Sequence, residues 1–307
     1  MGMGKYILQR LAFTVLVVIG ISILVFFITH VVGNPVDIML PLQAPEEQRI
    51  AMTKQLGLDK PLIVQLGDFL KGVATLDFGS SWWQRRPCME VIMDDLPLSM
   101  VLIGLAILIA ACVAIPLGIL AAYRQGSMLE RFLTIFNMGG ICLPPFWIGL
   151  MLMLVFSVKL GWLPTSGIGT WKHMVLPAVT ISFRPMGQLA QIVRYEMIQQ
   201  LKGLYVITAR AKGVGEVAVL FKHALKNIMT SAITMIGSDF GKQIGGLSAS
   251  VEVVFGFPGF GSLISDTIEN MDFPLLQAEV FCVAIIICLI NLLVDILYAA
   301  VDPRIRY

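Results

Sequence analysis

Very few residues in this chain have the type and spacing that chemistry requires. The three histidines, His30, His173 and His223, have no carboxylate or cysteine at ligand or proton-relay spacing within an apolar run. Of the five cysteines, Cys112, Cys142, Cys282 and Cys288 sit inside apolar runs, where a thiol behaves as a small hydrophobe. Only Cys88 lies in a loop, and no pair has CxxC spacing, so neither a disulfide framework nor a metal site is expected. Gly237-x-x-x-Gly241-Lys242-Gln243 is similar to a phosphate-cradling loop, but it is one residue short and lacks the closing Ser or Thr. Asp77-Phe-Gly79 matches a magnesium-binding triplet without the glycine-rich loop or His-Arg-Asp motif that accompanies it in kinases. Catalysis and a cofactor bound by this chain are therefore not expected.

What remains is a pattern suited to contact rather than catalysis. Tyr205-Val-Ile-Thr-Ala-Arg-Ala-Lys-Gly213, followed by His223-Ala-Leu-Lys-Asn227, is basic and rich in helix formers. Ala209, Ala211, Leu220 and Leu225 favour helix and Gly213 interrupts it, which predicts two short helices with a bend at Gly213-Val-Gly215.

The elements that hold this segment are set by composition. The chain is 57% hydrophobic and 14% charged, with a mean hydropathy of +0.83. A soluble domain has roughly 45–50% apolar and about 25% charged residues, so the composition indicates an integral membrane protein. The net charge of +2 gives no reason to expect nucleic acid as a partner; membrane lipid is the expected surroundings. Six apolar stretches read as membrane spans: Leu11–Val32, Leu98–Ala122, Phe132–Val158, Met174–Val193, Ile228–Val254 and Ala278–Val301. The fourth and fifth are interrupted by Arg184, Asp239 and Lys242. The first exceeds a signal-peptide core and lacks a small-residue cleavage site, so it reads as a retained helix.

Charge sets the orientation. Lys5, Arg10, Arg124, Arg131, the lysines and Arg210 of the Tyr205–Asn227 segment, and Arg304 and Arg306 all lie on one side. The opposite connections after the third and fifth spans carry only Lys159 and Lys172. By the positive-inside rule both termini and the 199–227 loop are cytoplasmic. The expected organisation is a first segment 1–32, an external lobe 33–97 between the first two helices, and a five-helix core 98–307. Trp82, Trp83, Trp162 and Trp171 fall at or outside span ends, as interfacial tryptophans do.

Several polar features have two readings each. Asp239 and Lys242 are i, i+3 neighbours that either neutralise one another or, with Arg184, line a translocation path. Gly237, Gly241 and Gly245 form a small-residue face for close helix packing, inside the chain or against another. Phe255, Phe257, Pro258, Gly259, Phe260 and Gly261 form an aromatic turn in an external stretch without lysine or arginine, either an ordinary connection or a contact surface.

The 205–227 pattern resembles the cytoplasmic signature of ABC-importer permeases, in the form used by the peptide, nickel and glutathione branch. Ala209 and Gly213 keep the spacing of the wider superfamily's Glu-Ala-Ala motif. Ile207 stands where its Glu would be and Thr208 replaces its first Ala. The resemblance runs along nearly the whole chain. It includes Tyr6-Ile-Leu-Gln-Arg-Leu11, Gln55-Leu-Gly-Leu-Asp-Lys-Pro61, Asp77-Phe-Gly-Ser-Ser81, Gly161-Trp-Leu-Pro164, Val251-Glu-Val-Val-Phe255, Phe257-Pro-Gly-Phe-Gly261, Asn291-Leu-Leu-Val-Asp-Ile-Leu-Tyr298 and Asp302-Pro-Arg304.

The resemblance implies an all-α permease of a bacterial inner membrane importing di- or oligopeptides or similar small solutes. Nickel complexes, glutathione and oligosaccharides are alternatives. It implies that Tyr205, Ala209, Arg210, Lys212, Gly213, His223 and Asn227 form a coupling helix. The implied partners are two cytoplasmic ABC ATPase subunits that hold ATP and magnesium, a second homologous permease and an extracytoplasmic substrate-binding protein. The aromatic turn would then face that binding protein. A self-contained secondary transporter or an intramembrane enzyme are remote alternatives, since neither needs an ATPase dock.

Overall fold

A computed structural model describes residues 3–32, 36, 40, 45–55 and 58–301. Residues 56–57 and 302–304 of the quoted motifs, Arg304 and Arg306, and the side chains of Lys5, Tyr6 and His30 lie outside what it describes. The described residues are helical, without a named strand; one isolated bridge joins Ser80 to Pro87.

In chain order the helices are α1 (Met3–Val32), α2 (Glu46–Gln55), α3 (Leu62–Thr75), α4 (Cys88–Tyr123), α5 (Met128–Cys142), α6 (Pro145–Leu152), α7 (Lys172–Leu201), α8 (Leu204–Ala211), α9 (Glu216–Ala218), α10 (Leu225–Lys242), α11 (Ala249–Val254), α12 (Phe260–Glu269) and α13 (Phe273–Val301). Wider π-type turns occupy Met153–Lys159, Val219–Ala224 and Gln243–Leu247.

Three of these helices are long and apolar enough to cross a membrane: Ala12–Thr29 within α1, Cys88–Tyr123, and Phe273–Tyr298 within α13. The third expected span is not one continuous helix. It breaks at Leu143-Pro144 into α5 and α6 with its π turn, and the two halves are bent by 106°. A proline disfavours helical geometry in the residue before it and cannot donate to the preceding turn, so the break falls where the sequence requires. Counting the bent pair as one span makes four. The fourth and fifth expected spans, in α7 and α10, do not meet the same test. α7 carries Arg184, Gln188 and Gln191 mid-helix, and α10 carries Lys226, Asp239 and Lys242. The fifth stretch also turns at Gly246, whose φ of 114° lies in the left-handed region.

The chain divides into two compact units. One comprises Leu98–Ser262 and Leu289–Tyr307, the other Gly2–Pro97 and Leu263–Cys288. In the first unit, α4, α7 and α10 share a core. Ala110, Ala114, Ile119 and Ala122 of α4 meet Met186, Leu189, Ala190, Val193 and Met197 of α7, with Leu220, Ala224, Ile228 and Ala232 below them in chain order. Small residues allow these helices to approach closely. A Cβ on Gly118 would lie 2.7 Å from Val193 Cγ1. One on Gly140 of α5 would lie 2.7 Å from the Phe183 carbonyl oxygen. α5 starts at the cap Ser127, whose hydroxyl accepts from Glu130 N–H at 3.2 Å.

Within the second unit, an aromatic series links α1, α3 and α13: Phe26 stacks on Phe69, Phe69 meets Phe78, and Phe78 meets Phe281. Gln277 donates to Thr29 Oγ1 at 2.8 Å. The buried carboxylate of Asp272 accepts from Ser81 Oγ at 2.5 Å and from Trp83 N–H at 3.1 Å.

Candidate functional site

Three places in the first unit hold the residues with functional potential. They are the 200–227 segment, the faces of α7 and α10, and the turn around Glu252.

The 200–227 segment is two short helical pieces joined at Gly213. Gly213 has φ +78°. Its N–H donates to Arg210 O at 2.9 Å, and Val214 N–H donates to Ala209 O at 3.1 Å. These paired bonds are the Schellman helix ending, which places glycine in left-handed geometry just past the cap. The accompanying apolar contact is present, since Val206, Ala209 and Val219 form a small buried cluster with Leu201 and Val214. Nothing lies within 4 Å of where a Gly213 Cβ would sit. The requirement for glycine there is conformational, not steric.

The two ends of the segment converge on Gln200. Tyr205 OH donates to Gln200 Oε1 at 2.7 Å, and Asn227 Nδ2 reaches the same oxygen at 3.5 Å and His223 O at 3.4 Å. Arg210 does not wait for an outside partner. Its Nε and Nη2 donate to Glu216 Oε1 and Oε2 at 2.8 and 3.1 Å, fixing the two pieces across the bend. Lys212 is exposed. So are Leu204 and Val217, at 82% and 71%, together with Ile207 and Phe221. Large apolar side chains this open, among lysines, make a surface suited to a protein partner.

α7 is two-faced. Its core side is the Met186–Met197 set above, and its other side presents Gln188, Gln191, Ile192, Tyr195 and Glu196. Opposite stand Ser231, Thr234, Met235 and Ser238 of α10. Together these nine residues line a cavity of about 700 Å³. Sequence reading missed them, although polar residues recur at helical spacing along both helices. Of the three charged residues expected on a path, none lines this cavity. Arg184 instead borders a small cavity of about 100 Å³ with Gln243, Ser250 and Pro145. Asp239 is buried and accepts from the exposed Lys242 Nζ at 3.4 Å. Gly237 packs inside the chain: a Cβ there would run into Val294 Cγ2 of α13.

The Glu252 turn is a third construction. Glu252, fully buried, accepts from Ser99 Oγ and Ser248 Oγ at 2.9 Å and from Ser262 N–H at 3.0 Å. Ser99 Oγ in turn accepts from Phe260 N–H at 2.7 Å. Added Cβ atoms on Gly259 and Gly261 would come within 2.5 and 3.0 Å of Glu252 Oε2. The rings of Phe255, Phe257 and Phe260 are buried, the first two against Leu102, Leu176, Ile181 and Val251. Of the two readings of this turn, the burial of its rings favours an ordinary connection. The rings belong to the core, and of the six residues only Pro258 presents a side chain outward.

Among the described residues, no group of three or more His, Cys, Asp or Glu could hold a metal ion.

The family of binding-protein-dependent transport system inner membrane components matches residues 114–307, and its N-terminal counterpart matches residues 3–103. The glutathione transport system permease protein of Salmonella typhimurium is 38% identical over 306 residues, covering 99% of this chain and 100% of that one. The protein of the same name from Escherichia coli K12 is 37% identical over the same coverage.

Proposed function

The chain belongs to the binding-protein-dependent transport system inner membrane components, as an ABC-importer permease subunit of the peptide, nickel and glutathione branch, and on that premise we propose that it passes glutathione-sized peptides inward by alternating access. The observation that carries the coupling part is the 204–221 surface. A Schellman-terminated helix displays Leu204 and Ile207, and the piece beyond the bend displays Val217 and Phe221, beside Lys212 and Lys222. Such a helix transmits displacement, because its own ends are tied to Gln200 and Glu216.

In this reading Tyr205, Ala209, Arg210, Lys212, Gly213, His223 and Asn227 build the coupling element, but with divided roles. Ala209, Gly213, Arg210, Tyr205 and Asn227 hold its shape. Lys212 and the exposed apolar residues meet a separate ATPase subunit that binds ATP and magnesium. Two such ATPases, a second homologous permease and an external substrate-binding protein complete the importer. The permease crosses the membrane six times with both termini cytoplasmic. Residues 33–97 lie outside and 199–227 inside, as the charge asymmetry supports. α7 and α10 count among the crossings as inner helices, whose polar faces turn away from lipid. Arg184, Asp239 and Lys242 lie near the path as structural charges, and Pro258 meets the binding protein.

The test is co-purification. The tagged chain, expressed with its partner subunits, is expected to retain both ATPases. The double variant Leu204→Asp, Val217→Asp is expected to lose them while still inserting. Undiminished retention by that variant would sink the coupling assignment. Uptake of radiolabelled glutathione, dipeptide, nickel complex or oligosaccharide by the reconstituted importer identifies the solute.

A further inference from the structure

We propose that the groove between α7 and α10 is a solute-binding wall that holds the ammonium end and the amide groups of a short peptide. The inference rests on the peptide-permease reading above and adds to it the residues that read the solute.

The first observation is chemical. The groove is lined by Gln188, Gln191, Tyr195, Glu196, Ser231, Thr234 and Ser238, with Ile192 and Met235 as its apolar part. In a helix exposed to acyl chains, such a set of side chains is strongly disfavoured, so the groove faces water or another protein. The second is hydrogen bonding. Thr234 is engaged with its own helix and with Tyr298. Among the described residues, the side chains of Gln188, Gln191, Glu196, Ser231 and Ser238 have no hydrogen-bond partner. Two carboxamides, each both donor and acceptor, and two hydroxyls match the alternating N–H and C=O of a peptide.

The third observation is charge. Glu196 is the only charged residue of the lining. The nearest arginine in sequence, Arg194, is committed elsewhere: it donates to the buried Glu130, with Nε–Oε1 at 2.8 Å. Glu196 therefore lines the cavity with no lysine or arginine among the lining residues to pair with it. No lysine or arginine lines the groove, so it suits the amino end of a zwitterion and not its carboxylate. The fourth is size. A cavity of about 700 Å³ falls in the range of roughly 300–1,000 Å³ typical of small-molecule sites and admits a di- or tripeptide.

The test uses the complete importer in proteoliposomes. Tritiated glutathione reports uptake, and a diazirine-bearing dipeptide with a free amino terminus maps contact. In the wild type, photolabel is expected on 188–196 and 231–238. Its N-acetylated analogue is expected to label these segments weakly. Glu196→Gln is expected to lower labelling by the free peptide roughly tenfold, as for a lost charged hydrogen bond, with the complex still assembled. Glu196→Asp should restore part of it. Label confined to other segments, in proteoliposomes that take up glutathione normally, overturns the groove alone. So does a Glu196→Gln chain that no longer binds its partner permease, because the groove is then an interface between permeases. Wild-type proteoliposomes that take up neither glutathione nor dipeptide overturn the peptide reading and the groove with it.

Discussion

Single residues here act mainly by permitting a geometry. Gly213 makes no contact that a side chain would disturb, yet its φ of +78° is one that other residues adopt at a cost. Gly213→Val is expected to destabilise the helix ending by about 1–2 kcal/mol. That is enough to loosen a coupling element without unfolding the membrane core. The expected readout is lower substrate-stimulated ATP hydrolysis with normal insertion. Hydrolysis equal to wild type would show that the ending is not needed for coupling. Glu252 is the opposite case, a buried acceptor for three donors. Glu252→Ala leaves those donors without their partner and is expected to lower stability by about 1–3 kcal/mol, read as a fall in unfolding temperature in detergent. Nothing in composition marks Glu252 as buried, because it reads as an external acidic residue until Ser99 and Ser262 are brought to it.

At the scale of elements, the segment between α7 and α10 behaves as a braced unit. The Arg210–Glu216 pair spans the Gly213 bend, and both side chains are about two-fifths exposed, at 40% and 41%. Its contribution to stability is therefore small, about 0–1 kcal/mol. Its effect is on orientation. Arg210→Glu alone is expected to reduce coupled ATP hydrolysis, and the swap Arg210→Glu, Glu216→Arg to restore it. If the swap fails to rescue, Arg210 acts on the ATPase and not on Glu216. A second brace joins α5 to α7. Glu130 donates its N–H to the cap Ser127, accepts from Gly126 N–H and pairs with Arg194. Arg194→Ala removes the cation that pairs with Glu130 across the two helices and is expected to lower the unfolding temperature in detergent. The two short helices and the bend were legible in the sequence, since Gly213 follows a run of helix formers. The pairing that braces them was not, because Glu216 and Gln200 lie outside the basic pattern that drew attention.

At the scale of the whole molecule, the topology is testable without a substrate. In a variant without its native cysteines, a cysteine at Lys222 is expected to react with an impermeant maleimide only from the cytoplasmic face. One at Trp171 is expected to react only from outside. The reverse pattern would invert the orientation drawn from charge. Membrane class, helical content, the apolar spans α1, α4 and α13 and the family were all present in the chain itself. They depend on composition and on local periodicity, which survive without tertiary contacts. The tertiary structure decided what a linear reading leaves open. It bent the third stretch by 106° at Leu143-Pro144 and turned the Phe255, Phe257 and Phe260 rings inward. It set the Gly237 face against Val294, and joined the polar faces of α7 and α10 into one groove. The physical reason is common to all of these. Whether a polar or aromatic side chain meets lipid, water, core or solute depends on which neighbour lies across from it, and that neighbour is distant in sequence.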